Sequence, residues 1–186
     1  VSMMDRYGSV CDDLHTDLHE CLGHGSGRLL PGVDPDALKA YGSTIEEARA
    51  DLFGLYYLAD EKLVELGLTP CQEAYKAQYY SYMMNGLLTQ MVRIQPGHQI
   101  EEAHMRNRAL IARWTLEHYP QAVRLSEQDD KHYVEILDYP LLRTAFGTLL
   151  AEIQRIKSEG DLQAARQMVE RYGVQIDAKL HQEVLE

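Results

Sequence analysis

A mainly α-helical domain is predicted by three features of the sequence. Apolar residues keep a helical spacing along most of the chain, as at Met105, Ile111, Ala112 and Leu116. Breakers such as Gly25-Ser26-Gly27, Pro31-Gly32 and Pro96-Gly97 fall between those stretches. Only Lys131 to Leu137 alternates like a strand, with Tyr133 and Val134 as good strand formers.

Taken in order, Asp12-Asp13-Leu14 opens a first helix with acidic residues at its positive end. That helix runs to about His24, where Gly25 to Gly27 stop it, and a loop with Pro31, Gly32 and Pro35 follows. Ser43 and Thr44 are candidate N-caps, with Glu46 and Glu47 as capping-box partners, for one helix from Ile45 to Glu65. Thr69-Pro70 starts the next, from Cys71 to about Ile94. A helix from about Ile100 to Tyr119 ends at Pro120. Asp138-Tyr139-Pro140 starts a long helix to about Lys157; Gly160-Asp161 breaks it before a helix from Leu162 to Tyr172. A last helix starts near Asp177. With about seven helices, one strand, no repeat and no long linker, residues 1–186 read as a single domain.

The chain is 186 residues long, enough for a sizeable core. Its net charge of −11 argues against nucleic acid or an anionic membrane as partner, since both need a basic footprint. No stretch reaches the roughly 18 apolar residues of a membrane span. Three cysteines, Cys11, Cys21 and Cys71, form no disulfide pattern. They suggest a reducing compartment, read as the cytoplasm. The twelve tyrosines suit a surface that is half core and half wet cleft. The richest motif begins only at His19, so Val1 reads as the start of a segment.

That motif is His19-Glu20-Cys21-Leu22-Gly23-His24. Zinc peptidases often set two histidines four apart on one helix face. Here the interval is five, which on a regular helix turns the second ligand by about 140°, at ~100° per residue. One π-helical turn would bring His24 back toward His19, and Gly23 eases that distortion. Alone, such a motif also fits a solvated polar helix. The next helix adds Glu46-Glu47-Ala48-Arg49-Ala50-Asp51. Glu47 and Asp51 share a face and Glu46 points roughly 100° away. One of these carboxylates can join the two histidines as third ligand, leaving the open fourth position of a catalytic zinc site. The others can hold the histidine N–H groups.

Those two motifs, with the Gly25-Ser26-Gly27 tail, resemble the paired signature of the dipeptidyl peptidase III family. Ala103-His104-Met105-Arg106-Asn107-Arg108 and the run from Lys157-Ser158 through Asp161, Arg166, Glu170 and Tyr172 are similar to it as well. The short interval between the motifs resembles bacterial members, and Cys21 stands where the family usually has a plain apolar residue. The resemblance implies that His19, His24 and Glu47 ligate one zinc ion and that Glu20 is the general base. It implies that Glu46 and Asp51 orient the ligand histidines, that His104 stabilises the transition state, and that Arg108 contacts substrate or the polar network. It further implies a helical catalytic lobe without the family's β-barrel, whose partners are oligopeptide substrates and the missing lobe of the same enzyme. The implied activity is release of dipeptides from peptide N-termini. Competing readings are a non-catalytic helical domain with a structural metal, and a gluzincin-like aminopeptidase.

Overall fold

The computed structural model describes residues 2–185. Helix α1 spans Met3–Leu18 and begins earlier than the Asp12 start expected from its acidic turn. The signal for the true start is a capping box. The Ser2 side chain takes the Asp5 N–H, and the Asp5 carboxylate takes the Ser2 N–H. At its end, α1 passes directly into a π-helical turn, His19–His24.

Helix α2, Gly42–Leu58, is the centre of the molecule and packs against α1, the π turn and four later helices. Neither Ser43 nor Thr44 caps it; a short 3₁₀ turn, Lys39–Tyr41, leads straight in. The expected single helix to Glu65 is two. Asp60 adopts an extended conformation and accepts the Lys62 N–H, which starts α3, Glu61–Glu65, as a separate element.

Helix α4, Tyr75–Leu87, is also shorter than expected, because Leu88 leaves helical geometry and Thr89–Arg93 winds on as a 3₁₀ turn. Helix α5 spans Ala103–His118. Strands β1, Val123–Gln128, and β2, Lys131–Ile136, pair antiparallel, with Gln128 opposite Lys131. Only the second was expected. The turn residues Asp129 and Asp130 both have positive φ, 51° and 59°, as a two-residue primed hairpin turn requires.

Helix α6, Tyr139–Glu159, starts where Asp138 accepts the Leu141 N–H and ends at Gly160, whose φ of 66° is left-handed. It buries Leu142, Ala145, Phe146, Leu149, Ile153 and Ile156, a stripe at helical spacing. Helix α7, Leu162–Val169, is capped by Asp161 and runs into a second π turn, Glu170–Val174; α8 is Ala178–Leu185.

One core joins these helices. Ile45, Leu52 and Leu55 of α2 meet Tyr79 and Met83 of α4, Leu110 and Ile111 of α5, and Phe146 and Leu149 of α6. Each such side chain contributes roughly 1.5–3 kcal/mol on burial. The fold is mainly α-helical with two short strands, and among the described residues no β-barrel is present. No described helix is long and apolar enough to cross a membrane.

Candidate metal centre

The π turn decides where the two histidines go. Gly25 N–H donates to the Glu20 carbonyl, five residues back, at 3.1 Å. The widened turn carries His24 round to the side of His19. Their rings meet edge to face with centroids 4.6 Å apart, and the two Nε2 atoms are 3.0 Å apart. Gly23 serves contact more than bending: a Cβ there would stand 2.6 Å from Ala50 Cα. The π turn therefore lies flush on α2, next to the carboxylates.

Three of those carboxylates divide the work. Asp51 Oδ1 is 2.6 Å from His19 Nδ1, and Glu46 Oε1 is 3.0 Å from His24 Nδ1. An ionised carboxylate only accepts, so each Nδ1 carries the proton it donates. In the neutral form, a ring of this tautomer turns an Nε2 lone pair inward. Glu47 faces both, with Oε2 3.6 Å from His19 Nε2 and Oε1 3.6 Å from His24 Nε2. One ligand atom from each of these three residues lies within 4.8 Å of the others. Glu47 Oε2 is buried with no hydrogen-bond donor among the described residues; His104 Nδ1, 3.1 Å away, lacks the geometry for one. Converging acceptors with no proton between them repel, and a cation among them removes the conflict. The donor set, two imidazole nitrogens and one carboxylate, suits zinc.

A further layer holds the carboxylates. Arg49 is fully buried and donates through Nη2 to the carbonyls of Gly23 at 2.7 Å and Ser26 at 2.9 Å, and to Glu46. Lys157 of α6 reaches Glu46 from the other side. Burial raises the Glu46 carboxyl, but Arg49, Lys157 and His24 outweigh it and hold its pKa at about 2. Asp51 is buried too, yet His19, His15 and the Tyr82 hydroxyl keep its carboxyl below the ordinary range. In return the Asp51 hydrogen bond raises the His19 pKa against the opposing effect of burial. His15 itself accepts from Gln78 at 2.9 Å and donates to the Asp51 carbonyl at 3.1 Å.

The opposite wall is α5. His104 and Arg108, one turn apart, line a cleft of about 240 Å³ with His19, Glu20 and Asp51. Glu20 stands exposed at its edge, its Oε1 4.0 Å from His19 Nε2. A groove of about 880 Å³ between α2 and α6 is larger, but no metal-ligating cluster lines it. All eight residues singled out by sequence thus fall in one neighbourhood. Arg49, His15 and Tyr82 belong there as well. His15, four residues before His19 on the same helix face, carried a readable signal; Tyr82 did not stand out on a tyrosine-rich helix.

The sequence model of peptidase family M49 matches residues 35–185. This chain belongs to peptidase family M49. The matched residues include Glu46, Glu47, Asp51, His104 and Arg108, while the His19–His24 motif lies before them. Among solved structures, this M49 chain is similar to dipeptidyl-peptidase III from Corallococcus sp. strain EGB. The TM-score is 0.67 and the identity 25%, over 92% of this chain and 30% of that one. It is also similar in fold to DPP III from Caldithrix abyssi, with a TM-score of 0.68 and 23% identity over 93% of this chain and 32% of that one. It spans about a third of the length of each of these two proteins.

Proposed function

We propose that this chain is the catalytic part of a zinc-dependent peptidase that releases dipeptides from the N-termini of oligopeptides. His19, His24 and Glu47 would hold one zinc ion. The observation that carries this reading is the convergence of the His19 and His24 Nε2 atoms on the two oxygens of Glu47, one of which, Oε2, has no donor among the described residues. Once bound, zinc supplies a Lewis acid that polarises a peptide carbonyl and brings the pKa of water toward about 7.

The remaining steps belong to side chains. Glu20, open to solvent beside His19, accepts the proton of the attacking water and passes it to the leaving amine. His104, whose Nδ1 faces Glu47, donates to the oxygen on which negative charge develops. Arg108 binds the substrate backbone from the same wall. Asp51 and Glu46 fix the tautomers of His19 and His24 and so keep both Nε2 lone pairs inward. Dipeptide release rests on likeness to the two dipeptidyl-peptidase III structures. The grip on the substrate's amino terminus is assigned to the parts of those enzymes that this chain does not span.

Elemental analysis of the purified chain tests the reading. We expect about one zinc per chain, as a three-ligand site requires, and none in Glu47→Ala. Equal zinc in both proteins would sink the ligand assignment.

A further inference from the structure

Behind the metal centre, two buried side chains have an unresolved hydrogen-bond problem. Tyr82 of α4 is buried, and its hydroxyl is 2.7 Å from Asp51 Oδ2 and 3.3 Å from Asn107 Oδ1. A tyrosine has one proton to give, and the charged carboxylate at the shorter distance takes it. The Asn107 oxygen would then face a lone pair. Meanwhile Asn107 Nδ2, on a fully buried residue, has no hydrogen-bond partner among the described residues. Exchanging the oxygen and nitrogen of that amide leaves its outline unchanged and gives the Tyr82 oxygen a donor. The nitrogen then donates to the Tyr82 oxygen, and the Tyr82 proton goes to Asp51.

We propose that Asn107 and Tyr82 are positioning residues for His19, joined to it in one directional chain. Asn107 donates to Tyr82, Tyr82 donates to Asp51 Oδ2, and Asp51 Oδ1 receives the His19 Nδ1 proton. The role rests on the reading of His19 as a zinc ligand. Two further facts fit it. Asn107 sits between His104 and Arg108 on α5, so the chain ties the wall bearing those residues to the ligand's orientation. One turn after Tyr82, Gly86 lets α4 touch α5, since a Cβ there would lie 2.5 Å from the Arg108 carbonyl oxygen. The contact that brings Tyr82 to Asn107 therefore leaves little play. Because donors in a series polarise one another, losing the first weakens the second. An effect of Asn107 on His19 must then pass through the Tyr82 hydroxyl.

The test is imidazole ¹⁵N–¹H NMR of the zinc-free full chain, followed by zinc titration against a competing chelator. Tyr82→Phe is expected to move the His19 Nδ1–H resonance and to raise the zinc Kd about tenfold, the usual cost of losing such a partner. Asn107→Ala is expected to move the same resonance while Tyr82 is present and to add nothing in the Tyr82→Phe background. Asn107→Ser serves if the alanine variant does not fold. The proposal is overturned if Tyr82→Phe leaves both resonance and Kd unchanged. It is equally overturned if the Asn107 substitution acts the same with and without the hydroxyl. If instead the unmutated chain takes up no zinc, or Glu47→Ala binds as tightly, the metal reading fails, and the resonances still decide the chain.

Discussion

His19 Nδ1 and Asp51 Oδ1 are 2.6 Å apart, the shortest histidine contact in the centre, and it links a ligand on the π turn to a carboxylate buried on α2. The bond raises the His19 pKa, and zinc binds only the unprotonated ring. The sign follows: affinity is fully expressed above that raised pKa and falls about tenfold for each pH unit below it. Asp51→Asn should move the onset of this loss to lower pH. At neutral pH it should weaken zinc binding by about 10- to 100-fold through lost orientation. Chelator competition from about pH 5 to 8 measures both; an unshifted profile would contradict the role given to Asp51.

Glu20→Gln should leave zinc content unchanged and reduce peptide hydrolysis by about 10²- to 10⁴-fold, the range for a general base. The comparison is made in whatever assembly shows dipeptide release, by product analysis on a synthetic oligopeptide. Full activity in the variant would remove Glu20 from the mechanism.

Gly23→Ala should push the π turn off α2, because its Cβ would meet backbone and not the end of a flexible side chain. We expect a loss of about 1–3 kcal/mol in urea unfolding, as for other overpacked contacts, together with weaker zinc binding. Gly8 of α1, whose added Cβ would stand at an ordinary 3.6 Å from the end of the Met4 side chain, is the control position. A Gly23→Ala variant as stable and as zinc-loaded as the parent would refute the tight contact.

Glu46 predicts acid sensitivity. Its pKa is about 2 in the folded chain against an ordinary 4.5. A lowered pKa stabilises above about 4.5, and that contribution is lost as pH falls toward 2. Linkage sets an upper bound of about 3 kcal/mol, and solvent screening of a side chain that is one quarter exposed lowers it. Glu46→Gln should flatten the stability profile across that window. Urea midpoints measured from about pH 2 to 6 would expose the error if the two profiles stayed parallel.

The hairpin turn offers a gain instead of a loss. Asp129 and Asp130 both occupy left-handed backbone, where Asn-Gly is preferred. Changing the pair to Asn-Gly should stabilise the chain by about 0.5–1 kcal/mol. Differential scanning calorimetry should show a higher melting temperature; a lower one would mean that the carboxylates make contacts of their own.

What could be read in advance follows how far each signal reaches along the chain. His19, Glu20 and His24 lie within six residues, and Glu46, Glu47 and Asp51 within another six, so chemistry and spacing are local. Asp138 and Gly160 likewise mark the ends of α6 by their own capping preferences. The Asp60 cap that divides α2 from α3 was just as local but lay inside a continuous helical pattern, which masked it. β1 alternates weakly and acquires its register from β2. Arg49, Tyr82 and Asn107 matter through partners 23 to 31 residues away, on other elements or on the loop after the π turn. No spacing rule within one helix reports such pairs.

A π turn is an α-helix holding one residue more than its length needs. Removing Leu22 would restore the four-residue histidine interval and let the helix run on regularly, with both imidazoles still on one side. The π turn therefore gives a five-residue interval the placement that a regular helix gives a four-residue one. Relative to a regular α-helix of the same residues, everything from about Gly23 on is turned back by about 100° and drawn back by ~1.5 Å. That offset sends the Gly23 and Ser26 carbonyls onto the Arg49 guanidinium. One extra peptide unit thus works as a steering joint, setting the heading of the loop that leaves the metal centre.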